Sequence, residues 1–78
     1  MEYRDIILLE YTGALKIIEL TDEEIRESKN VEKYGDFDKF VASLEEKYNF
    51  LLSNCNWMAV EKLDTHIYKN GEEVTNFL

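Results

Sequence analysis

Aliphatic and β-branched residues crowd the first twenty positions. Tyr-Arg-Asp-Ile-Ile-Leu-Leu-Glu-Tyr over residues 3–11 and Ala-Leu-Lys-Ile-Ile-Glu-Leu over residues 14–20 flank Thr12-Gly13, the pattern of two strands joined by a tight turn. With a strictly two-residue loop, Leu8 stands opposite Ile17 on one side and Ile7 opposite Ile18 on the other, so both faces of the hairpin carry aliphatic pairs. One face can pack on a helix; the other also needs cover.

The pattern then changes period. Thr21-Asp22-Glu23-Glu24 has the form Ser/Thr-x-x-Glu, a capping box in which hydroxyl and carboxylate satisfy backbone N–H groups at a helix start. Ile25 is its one apolar anchor before the polar run Arg26-Glu-Ser-Lys-Asn30, so a short, mostly solvated, acidic helix is expected over about 21–29. The clearest periodic signal follows: Phe37, Phe40, Val41, Leu44 and Tyr48 recur at i, i+3, i+4, i+7 and i+11, one face of a helix over 36–48. Asp38, Lys39, Glu45 and Glu46 fall on the other side, and Asn49 tolerates the left-handed conformation that closes helices. Beyond it, Trp57-Met-Ala-Val-Glu-Lys-Leu63 reads as a third strand. His66-Ile-Tyr-Lys69, Asn70-Gly71 and Glu72-Glu-Val-Thr75 form a second hairpin, because Asn-Gly supplies the two positive φ angles of a type I′ turn. Lys69 then faces Glu72, and Ile67 faces Val74.

No internal repeat, low-complexity tract or linker interrupts this order. The predicted fold is α+β: an antiparallel sheet of four to five strands, built from the N-terminal hairpin and the C-terminal strands, with the 36–48 helix packed across one face. At 78 residues, residues 1–78 make a single small domain with a small core.

Composition narrows the chemistry. Hydrophobic residues at 45% and aromatics at 13% are globular values. The lone Cys55 leaves no internal disulfide, the staple on which small secreted domains usually depend. No basic segment leads into a long apolar run, and only Ile6–Leu9 are consecutive aliphatics near the start; a cytoplasmic protein with no membrane partner is expected. Seventeen acidic against nine basic residues give a net charge of −8, which disfavours direct binding to nucleic acid.

One Cys and one His fall short of the roughly four nitrogen or sulfur ligands of structural zinc. Asp36-Phe-Asp-Lys-Phe40 fails a calcium loop at its third ligand and its glycine, and reads as a helix start. Gly13, Gly35 and Gly71 are isolated, so no phosphate-cradling loop is available. No cofactor and no catalytic residue is expected. A Cys55–His66 thiolate–imidazole pair is the one nucleophilic arrangement the composition permits, against the simpler reading of a half-buried cysteine and a surface histidine.

Two surfaces remain. Between residues 21 and 46 lie nine acids against four basic residues, a net −5; they form either a solvated helix face, with Asp22 and Arg26 paired at i, i+4, or a patch that mimics nucleic acid in the basic groove of a protein partner. The other is the sheet face left bare by a single helix; Trp57, Met58, Tyr3, Tyr11, Tyr34 and Phe77 form either a further apolar recognition surface or the core of the small domain. The favoured expectation is a non-catalytic interaction module that forms a homodimer or binds another protein through that face. The expected contact residues are Ile7, Leu9, Ile18 and Trp57 on the sheet and Glu23, Glu24 and Glu27 on the acidic helix.

Overall fold

The computed structural model describes residues 2–74; Thr75 of the expected last strand and Phe77 lie outside them. Strand β1, Asp5–Glu10, turns back into β2, Leu15–Glu19, and helices α1, Asp22–Ser28, α2, Val31–Tyr34, α3, Phe37–Ala42, and α4, Glu45–Tyr48, follow. A single 3₁₀ turn, Leu52–Asn54, leads into β3, Cys55–Val60, and a small hairpin of β4, Tyr68–Lys69, and β5, Glu72–Glu73, comes last. The fold is α+β, and its five strands divide into two antiparallel sheets, β2-β1-β3 and β4-β5.

The first hairpin differs from expectation by one residue. Glu10 N–H donates to the Ala14 carbonyl and Gly13 N–H to the Glu10 carbonyl, both at 2.8 Å, so the loop is Tyr11-Thr12-Gly13. A three-residue loop needs a positive φ at its last position, and Gly13 supplies it at +99°. The register is therefore Ile6↔Ile18, Ile7↔Ile17, Leu8↔Lys16 and Leu9↔Leu15. Because side chains alternate with period two, this shift changes which aliphatics share a face: Ile18 joins Ile6 and Leu8 on the inside, whereas the two-residue loop pairs it with Ile7.

β3 pairs with β1 in the register Ile6↔Ala59, Ile7↔Met58, Leu8↔Trp57 and Leu9↔Asn56. The inner face of the sheet thus presents Ile6, Leu8, Ile18, Trp57 and Ala59 to the helices. Ile6, Leu8, Phe40 and Val41 are essentially fully buried, and Ile18, Leu20, Ile25, Leu44, Phe50 and Cys55 complete the core. Phe37 links the layers, its ring centroid 5.7 Å from Phe40, 6.4 Å from Trp57 and 4.9 Å from Tyr3.

The helix expected over 36–48 is broken. Asp36 caps α3, accepting from Lys39 N–H at 2.9 Å, and the apolar face runs through Phe40, Val41 and Leu44 as the spacing predicts. At Ser43 the chain tightens: the Ser43 N–H reaches the Phe40 carbonyl, its hydroxyl bonds the same oxygen, and Leu44 N–H donates to Val41. A serine hydroxyl competing for a helical carbonyl bends helices, and α4 starts afresh at Glu45 before ending on Asn49 at φ +57°.

Helix α2, absent from the periodicity reading, is a single turn capped by the Asn30 side chain. Glu-Lys-Tyr occurs at both 32–34 and 46–48, each time closing a one-turn helix before a residue with positive φ, Gly35 or Asn49. Three residues are too few to register as a repeat, yet in both copies the Lys and Tyr bond a carboxylate of α1. The second hairpin matches its prediction: Lys69↔Glu72 pair, Val74 N–H donates to the Ile67 carbonyl, and Asn70 and Gly71 take φ +54° and +81°.

Candidate functional site

The sheet has one covered face and one open face. On the open side the alternation of β1, β2 and β3 places Ile7, Leu9, Leu15, Ile17 and Met58 together, with Asn56 beside Leu9. Leu9, Leu15, Ile17 and Met58 are 46%, 57%, 47% and 62% exposed. Glu10 N–H to Ala14 and Leu20 N–H to Arg4 fix the hydrogen-bonded pairs at the two ends of the hairpin. Leu9–Leu15 and Ile7–Ile17 therefore occupy the alternate, non-hydrogen-bonded positions, where side chains approach most closely. Ile7, Leu9, Asn56, Trp57 and Met58 border a shallow, almost wholly apolar depression on this face.

The face is apolar in its middle and polar at its ends. Asp5 and Glu19 stand opposite each other at one end, where Asp5 Oδ2 accepts from Leu63 N–H at 3.1 Å and Lys62 borders the same hollow. Exposed Tyr11 lies at the other, beyond Leu9. An antiparallel sheet with one wet face normally alternates apolar and polar residues. Here β1 and β2 are aliphatic on both sides.

Four expected contact residues can now be placed on the sheet. Ile7 and Leu9 belong to the open face. Ile18 does not, because the three-residue loop turns it into the core. Trp57 opposes Leu8 on the inner side, half-buried against Phe37. The spacing missed Leu15 and Ile17 as partners of Ile7 and Leu9, and alternation from Leu9 finds them once the loop length is known; Met58, already a candidate, joins them through the β1–β3 register.

The acidic helix is wired inward. Thr21 and Glu24 form both halves of the capping box, at 3.1 and 2.9 Å. The other Glu24 carboxylate oxygen accepts from Lys47 Nζ at 2.9 Å and from the Tyr48 hydroxyl at 2.7 Å. Burial pushes the Glu24 carboxyl up, but the Thr21 N–H, Lys47 and Tyr48 together outweigh it and hold the group below the usual carboxylate range. One turn on, Glu27 accepts from Lys33 Nζ at 2.7 Å and from the Tyr34 hydroxyl at 3.0 Å, and these two bonds lower its pKa in that order.

Each Glu-Lys-Tyr copy thus gives its Lys-Tyr pair to one carboxylate of α1, and the pair docks α1 on α2 and α4. Glu24 is buried in this role, which corrects its expected place at a partner surface. Glu23 is exposed. Asp22 meets Arg4 at 3.8 Å rather than the expected Arg26. Lysines and an arginine therefore interrupt the acidic segment at Asp22, Glu24 and Glu27.

Cys55 and His66 are held apart by different partners. The Cys55 thiol is buried and donates to the Leu51 carbonyl at 3.2 Å. The His66 imidazole lies between Glu73, 3.0 Å from Nδ1, and Asp64, 3.2 Å from Nε2. The hydrogen bond to Glu73, and then that to Asp64, raise its pKa. No hydrogen bond joins the thiol to the imidazole. Among the described residues no group of three His, Cys, Asp or Glu side chains has a metal-holding arrangement, and no helix is long and apolar enough to cross a membrane.

No known family model, no curated protein and no solved structure matches the chain.

Proposed function

We propose that this chain is a non-catalytic interaction module that pairs with a second copy of itself through the open face of its three-stranded sheet. The observation that carries this reading is the cluster of Ile7, Leu9, Leu15, Ile17 and Met58 on a face that no other element covers among the described residues. Full burial of one such side chain is worth about 1.5–3 kcal/mol at roughly 25 cal/mol per Å², or on the order of 100 Å² each. The four side chains, 46–62% exposed, therefore present roughly 200 Å², gathered on one face rather than scattered singly over the surface.

Two such patches bury about 400 Å² of apolar surface, so even with their polar rims the pairing belongs to the small, transient class of interface. The loss of translational and rotational freedom, set against that burial, makes the pairing weak and concentration-dependent. A second copy suits the patch because its apolar middle carries no charge that a partner must neutralise, and because two-fold pairing is the commonest way for one surface to cover itself. The net charge of −8 opposes indiscriminate stacking, so only a well-matched apolar contact holds two copies together.

Sedimentation velocity from about 10 μM to about 1 mM tests this. The wild-type chain moves from monomer to dimer across that range, while Leu15→Glu and Met58→Glu remain monomeric with unchanged circular dichroism. Both positions are exposed, so a folded monomer is the expected form of either variant. A wild-type chain that stays monomeric at the highest concentration overturns the proposal.

A further inference from the structure

The placement of charge and chain on the open face goes beyond self-association to its geometry, and rests on that reading. Three rows cross the face: Asp5, Glu19 and Val60; then Ile7, Ile17 and Met58; then Leu9, Leu15 and Asn56. Two stacked copies can be related by a two-fold axis along the strands or by one across them. An axis along the strands lays each row on its own copy, which gathers the four carboxylates of Asp5 and Glu19 in one desolvated band. Like charges placed face to face in an interface are strongly unfavourable.

Cations offset this only in part. Lys62 borders that end of the face, but the Arg4 guanidinium is turned to Glu2 and Asp22, at 3.6 and 3.8 Å. The same axis also sets the chain at Leu63, held on Asp5 by its N–H, against its own copy. An axis across the strands has neither fault. It lays the acidic end of each copy over the Tyr11 end of the other, and the aliphatic rows over one another.

We propose that the homodimer is a face-to-face sheet sandwich whose two-fold axis runs across the strands, with β2 over β2, Ile17 over Leu15, Ile7 over Leu9, and Met58 over Asn56 of the second copy. The two sheets lie about 10 Å apart, with strand directions within about 30° of antiparallel. β1 and β2 supply both halves of the seal, and the like-charged Asp5–Glu19 end fixes the direction.

Isotope-filtered nuclear Overhauser spectra of an equal mixture of methyl-labelled and unlabelled full-length chain test the arrangement without any substitution. The expected intermolecular contacts are Ile17 to Leu15 and Met58 to the Asn56 side chain. A dimer whose intermolecular contacts join Met58 to Ile17 has its axis along the strands and overturns this inference while leaving self-association standing. Contacts confined to the backbone edges of β2 or β3 overturn it as well, by showing edge pairing. Absence of any intermolecular contact at millimolar concentration, with monomeric sedimentation, overturns self-association itself.

Discussion

Replacing Glu24 is the sharpest test of how the helices are held on the sheet. Its carboxylate makes three hydrogen bonds in two directions: one to the backbone of its own helix cap at Thr21, and two across to Lys47 and Tyr48 of α4. In Glu24→Ala the lost cap bond costs about 0.5–1 kcal/mol, toward the low end for capping groups, because Thr21 still caps with its own hydroxyl. The half-buried Tyr48 hydroxyl loses a charge-assisted partner, about 1.5 kcal/mol. Lys47, whose ammonium side chain is more than half exposed, returns to water at little cost.

The total is about 2–2.5 kcal/mol, a large share of the roughly 4–12 kcal/mol expected of a chain this size. Glu24→Gln, which keeps one acceptor, should lose about half as much. Urea unfolding followed by Trp57 fluorescence should show the midpoint of the alanine variant fall by about 2 M, with a slope near 1 kcal/mol/M. The pH dependence supplies a second reading. A carboxyl held low in the folded state stabilises fully above its unfolded value near 4.5, and that contribution disappears as pH falls through the lower folded value. Wild type should therefore lose stability on acidification below about pH 4.5 more steeply than Glu24→Gln. A midpoint shift under about 0.5 M for Glu24→Ala, with an unchanged acid limb, would refute the clamp.

Two further outcomes follow from the core and from the second hairpin. Phe40→Ala removes an essentially fully buried ring and should cost about 3–5 kcal/mol, moving the urea midpoint down by about 3–5 M on the same slope; an unchanged midpoint contradicts the assigned core. The His66 C2 proton should titrate above the ordinary histidine range, since Glu73 and Asp64 hold the imidazolium. A raised folded pKa means that its stabilisation is complete below the unfolded value near 6.5 and is lost as pH rises through the folded value. Protection of the Val74 amide, corrected for intrinsic exchange, should fall over that interval, and an unperturbed His66 titration denies the bridge.

Local signals in the sequence were reliable where one short motif decides the backbone. The Thr21–Glu24 box and the Asn70-Gly71 turn appear as predicted, because a cap needs only two side chains and a type I′ turn only two residues that accept positive φ. The periodic face of Phe40, Val41 and Leu44 also packs as read. What could not be read depended on small competitions. Thr12-Gly13 fits a two-residue and a three-residue loop equally well in composition, and the difference of one residue decides whether Ile18 faces the core or solvent. Ser43 breaks the long helix through one hydroxyl, with no glycine or proline to announce it. Glu24 and Glu27 look like members of a solvated acidic run until two distant Lys-Tyr pairs are folded onto them. That both faces of the first hairpin are aliphatic was legible from the order of residues 6–9 and 15–18; which five side chains share the open one was not.

The central claim is that the open face is where this chain meets its copy, and methyl chemical shifts over a dilution series test it most directly. On dilution from about 1 mM to about 10 μM, the account predicts shifts at Ile7, Leu9, Leu15, Ile17 and Met58, with the core methyls of Ile6, Leu8, Ile18 and Val41 unmoved. Invariant shifts at those five residues, or changes confined to the α1 region around Glu23, would contradict it.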